Sequence, residues 1–76
     1  MPSMSPGEQK AFLFNIAKSG YIAVGLVGYG IYGVNNIYVA KILLESINTV
    51  TLELKNNNSA QANISTINLL TLYLKQ

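Results

Sequence analysis

The chain has 76 residues and a net charge of +2 from five Lys and three Glu; it contains no Arg, Asp, His or Cys, and half of it is hydrophobic. That length allows one domain with a marginal core, and the missing Cys and His exclude disulfides and the common zinc sets. Scattered lysines form no basic stripe for phosphates, so nucleic acid is not an expected partner.

At the N-terminus, "SPGE" has the spacing of a helix start: Ser5 as N-cap, Pro6 at the first helical position and Glu8 closing a capping box. Residues 1–18 therefore read as a capped interfacial segment, with Phe12, Leu13 and Ile16 turned inward. No cleavable signal and no Arg-rich transit peptide are evident.

Lys18 and Lys41 bracket residues 19–40, a run without one charged side chain. As a helix this run would be about 33 Å long, enough for the hydrocarbon core of a bilayer. Lys18, Tyr38 and Lys41 stand near its ends as membrane-interface anchors. On a helical wheel Tyr21, Gly25, Gly28, Tyr29, Tyr32 and Asn36 gather on one side, opposite Ala23, Val24, Val27, Ile31 and Val34. Polar groups are costly against lipid, and glycine allows close backbone approach, so the first side is expected to be a helix-packing stripe.

Within the same run Gly28, Gly30 and Gly33 have the spacing G-x-G-x-x-G. With "YIAVGLV" as a strand, "VNNIYVAKILLES" as a helix and Glu53 twenty residues beyond Gly33, the order resembles the opening βαβ unit of Rossmann dinucleotide-binding domains. That resemblance implies a nucleotide-binding fragment with Glu53 at the ribose.

The last third, 41–76, reads as an extramembrane extension. "SINTVTLELK" and "TINLLTLYLK" share the frame I-N-x-x-T-L-x-L-K, and their alternating leucines suggest two strands of a hairpin across the polar "NNNSAQAN". A helix presenting Ile64, Ile67, Leu70 and Leu74 is the other reading of the second copy. Asn57 and Asn63 lie in glycosylation sequons, which act only in a secretory context.

Three Glu and five Lys, none paired within the apolar run, offer no catalytic constellation, so no enzyme activity, cofactor, metal or small-molecule substrate is expected. The sequence thus predicts a mainly α membrane protein: one transmembrane helix, a short N-terminal helical extension and a short C-terminal hairpin-like or helical one. Its expected role is a small accessory subunit at the edge of a larger complex, contacting other subunits and membrane lipids. The mitochondrial inner membrane, with a respiratory-chain or ATP synthase assembly, fits the missing secretory signal and the AT-rich residue usage. A small pore-forming or holin-like peptide is the alternative in a different class.

Overall fold

The structure is a computed structural model in which residues 3–76 are described, so the first two residues of the N-terminal segment lie outside it. Seven strands follow one another: β1 (Ser3–Met4), β2 (Gln9–Asn15), β3 (Tyr21–Tyr32), β4 (Ile37–Ser46), β5 (Thr49–Asn56), β6 (Ala62–Asn63) and β7 (Thr66–Lys75). No helix occurs among the described residues, and hence none that could cross a membrane. This overturns the mainly α, single-pass reading. The accessory-subunit role, the respiratory-chain or ATP synthase assembly, the inner-membrane location and the helical pore-former all rested on that helix and fall with it. The Rossmann-like fragment falls too, because Gly28–Tyr32 of its phosphate turn and Ile37–Ser46 of its helix are strand here.

The Ser5–Glu8 signal is a turn. Glu8 N donates to Ser5 O at 3.0 Å, the Glu8 carboxylate accepts from Ser5 N at 2.8 Å, and Gly7 has φ 74°. Proline second and a left-handed glycine third is the arrangement of a type II turn, which reverses the chain where a capping box would start a helix. Lys18 to Tyr21 repeats it, with Tyr21 N donating to Lys18 O at 3.0 Å and Gly20 at φ 81°.

All pairings are antiparallel. β5 lies between β2 and β4 in one sheet, β3 pairs with β7 in a second, and β1 and β6 form a short ribbon. The two leucine-rich segments of the C-terminal third are therefore not a hairpin: β5 and β7 stand in different sheets. On β5 the alternation buries Val50, Leu52, Leu54 and Asn56 completely. Met4, Leu52, Leu54 and Ile64 form the core, and Phe12 and Phe14 from β2, Val39 and Ile42 from β4, Ile31 from β3 and Ile67 from β7 pack against it. The sheets thus face each other across one thin apolar layer in a molecule 46 × 18 × 17 Å in extent.

The charge-free run 19–40 is divided between the sheets: β3 belongs to one, the start of β4 to the other, and residues 33–36 join them. Both strands carry extra residues. The register of β3 slips at Val24 and Val27, and that of β4 at Ala40 and Glu45. Each bulge sets two residues opposite one and restarts the alternation.

Candidate interaction surface

In an antiparallel pair, residues directly opposite each other share a face. On the β3–β7 ribbon Ile22 stands opposite Leu74, Gly25 opposite Leu72, Gly28 opposite Leu70, Gly30 opposite Asn68 and Tyr32 opposite Thr66. The bulges put Val24 beside Gly25 and Val27 beside Gly28, so both valines join the leucines of β7 on the outer face. Val24, Val27, Leu70, Leu72 and Leu74 are between 43% and 70% exposed. Together they present on the order of 500 Å² of apolar surface, as large as the biggest patch on a typical monomer. No charged residue stands on this face between Ile22 and Tyr32 or between Thr66 and Leu74.

The glycines shape the face. A β-carbon on Gly28 would touch Leu70 Cδ1 at 3.4 Å, and one on Gly30 would lie 2.8 Å from the ring of Tyr32. Leu70 therefore lies across β3, and the Tyr32 ring lies over Gly30. Gly33, at φ 100°, turns the chain out of β3 against Ser65. The G-x-G-x-x-G spacing thus serves side-chain fit and a turn.

The expected helix-packing stripe is dispersed over the ribbon. Gly25, Gly28 and Tyr32 are on the outer face, Tyr29 stands opposite Leu69, and Tyr21 packs edge-on against Tyr73 with ring centroids 6.3 Å apart. Asn36 lies in the β3–β4 loop at φ 58°, its carbonyl accepting from Asn57 N at 3.0 Å. Of the expected anchors, Lys18 holds its Nζ 4.6 Å from the centroid of the Tyr21 ring and 5.3 Å from that of Tyr73. Tyr38 and Lys41 are on the outer side of β4, opposite Lys55 and Glu53. Leu72 and Leu74 were legible as one face of a strand, but Val24 and Val27 joined them only through the bulges.

At the Lys18 end lies a shallow depression of about 400 Å³, lined by Lys18, Ser19, Tyr21, Ile47, Asn48 and Gln76 among others. It brings together no acid–base pair, and no group of three or more His, Cys, Asp or Glu that could hold a metal lies together among the described residues. No protein-family model, no curated protein and no solved structure matches the chain.

Proposed function

We propose that the protein is a non-catalytic structural module that works by self-association, with the outer face of the β3–β7 ribbon as its contact surface. One observation carries this reading: a continuous, charge-free apolar face on a fold whose own core is a single thin layer. A face without charge can meet its own copy about a two-fold axis with no like-charge repulsion. Two such faces bury on the order of 1,000 Å² in total, the threshold for a specific interface. Small domains of this size commonly draw stability from such association. Neither nucleic acid nor a small-molecule substrate has a place in this reading.

The test is sedimentation over a range of protein concentrations. The native chain should populate a reversible dimer or larger species, and Val27→Lys should lower its sedimenting mass by removing the species held through this face. Because Val27 is 70% exposed, the fold of the variant should stay within about 0.5 kcal/mol of the original. A native chain that stays monomeric at the highest concentration would sink the proposal. A monomer that instead floats with lipid vesicles would assign the face to a membrane surface.

A further inference from the structure

We infer that the free edge of β7 is a second self-association surface, at which β7 of another copy pairs antiparallel and joins the two ribbons into one sheet of order β3-β7-β7-β3. Among the described residues, β2, β3, β4 and β7 each have a strand on one side only. Unpaired backbone groups on such an edge are a template for another strand unless something blunts them. On β3 and β4 the bulges at Val24, Val27, Ala40 and Glu45 interrupt the ladder. β2 is seven residues long and carries Lys10. β7 runs ten residues without a bulge, a proline or a glycine, and its one charge is the last residue, Lys75.

The alternation of β7 fixes the register. Ile67, Leu69, Thr71 and Tyr73 are half-buried on the inner side, whereas Asn68, Leu70, Leu72 and Leu74 are exposed. Both copies keep Leu70, Leu72 and Leu74 on one side only if odd residues meet odd and even meet even, so the two-fold axis passes midway between the two copies of one residue. Centred on Thr71, the pairing sets Leu70 against Leu72 twice, Leu69 against Tyr73 and Thr71 against itself. Asn68 meets Leu74 in that register, as it meets Leu72 when the pairing is centred on Leu70, but the Leu70 centre leaves three apolar pairs (Leu70 with itself and Ile67 with Tyr73 twice) where the Thr71 centre gives four. Apolar pairs and Thr–Thr pairs stabilise a ladder, so Thr71 is the centre. Lys75 then meets Ile67 and no like charge. The edge contact stands without the face contact. Their joint consequence, an open polymer in which each copy uses its face and its rim at once, rests on the function proposed above.

The chain has no cysteine, so an introduced one reports alone. With Thr71→Cys, the two β-carbons across the axis would lie about 4.5–5.5 Å apart, close enough for a disulfide after slight adjustment. Mild oxidation should give a covalent dimer at least ten times faster than with Asn68→Cys, whose two copies would be about 20 Å apart along the strands. The inner side of β7 cannot reach across a face contact, so Thr71→Cys should cross-link equally in the Val27→Lys background. A folded Thr71→Cys that cross-links no faster than Asn68→Cys, or only with Val27 intact, overturns the edge contact. If Thr71→Cys does not fold, a mixture of Leu70→Cys and Leu72→Cys chains should cross-link faster than either alone, and equal rates overturn it. Failure of the face contact shows separately, as Val27→Lys leaving sedimentation unchanged.

Discussion

Gly33 and Ser65 stand so close that no β-carbon fits between them: one built on Gly33 would lie 2.5 Å from Ser65 Oγ and 2.8 Å from Ser65 N. Both Ser65 groups are fixed, since N and Oγ donate to the Tyr32 carbonyl at 2.9 and 3.0 Å. Gly33 also has φ 100°, which side chains disfavour. Gly33→Ala should therefore cost roughly 2–5 kcal/mol, combining backbone strain with overpacking against a backbone atom. Urea unfolding checks this, and a loss below about 1 kcal/mol would show that the loop yields.

The strand glycines should behave differently from Gly33 and from one another. Gly25 has nothing within 4 Å of a built β-carbon and no left-handed φ, so Gly25→Ala should stabilise the monomer by about 0.5 kcal/mol through reduced freedom of the unfolded chain. Gly30→Ala meets the Tyr32 ring, the end of a movable side chain, and should displace it at a cost of about 1 kcal/mol or less. Unfolding midpoints in the Val27→Lys background, extrapolated to low protein concentration, separate these effects from association. Equal losses at Gly25 and Gly30 would contradict the geometry.

Why the sequence pointed to a helix follows from the same strand. The inner residues of β3 are Ala23, Leu26, Tyr29 and Ile31, spaced three, three and two apart because two bulges each add a residue. That spacing breaks the period-two alternation by which a strand announces itself, and the missing charges over residues 19–40, usual in a membrane span, here mark a ribbon with an apolar outer face. Bulges depend on partner strands distant in sequence, so no local pattern announces them. The period-two alternation of Leu52 with Leu54 and of Leu72 with Leu74 was legible, since it belongs to regular strands. Their partners were not: β5 is claimed by β2 and β4, whose apolar faces bury Leu52 and Leu54, and β7 is left to β3. The Glu8 carboxylate does accept from Ser5 N as in a capping box, but Glu8 N donates to the Ser5 carbonyl, and Gly7 at φ 74° turns the chain the other way.

The Lys18 cluster closes one end of the sandwich and should add a modest, separable amount of stability. Tyr73 Oη donates to Ile16 O at 2.6 Å, linking β7 to the chain leaving β2. Tyr73→Phe keeps the ring and loses that bond, at a cost of about 1 kcal/mol. Lys18→Met keeps the stem and loses the charge over two rings, for about 0.5–1 kcal/mol. A double-mutant cycle with Tyr21→Leu should recover about 0.5 kcal/mol of coupling. Strict additivity would mean that the lysine contributes by packing alone.

Asn56 is the polar centre of the opposite end, and its replacement should be the most costly outside the glycines. It is fully buried. Its Nδ2 donates to the carbonyls of Met4, Ser5 and Ala60 at 3.0, 3.1 and 3.0 Å, and its Oδ1 accepts from N and Nδ2 of Asn58, both at 2.9 Å. One side chain thus ties β5 to the N-terminal segment and to the loop before β6. Asn56→Ala strands several buried polar groups and should cost about 3–5 kcal/mol. Asn56→Asp keeps the shape but turns an anion toward three carbonyl oxygens. Burial and those carbonyls favour the neutral acid, so the folded pKa of the introduced carboxyl is raised above its unfolded value of about 3.9. A group raised in this way favours folding below the unfolded pKa, and that contribution is lost as pH rises through the folded pKa. The stability gap between Asn56→Asp and the native chain should therefore be smallest below about pH 4 and widen towards neutrality. Urea unfolding across that range reads the gap. A constant gap would mean that the introduced carboxylate reaches water, and that the closed end around Asn56 opens.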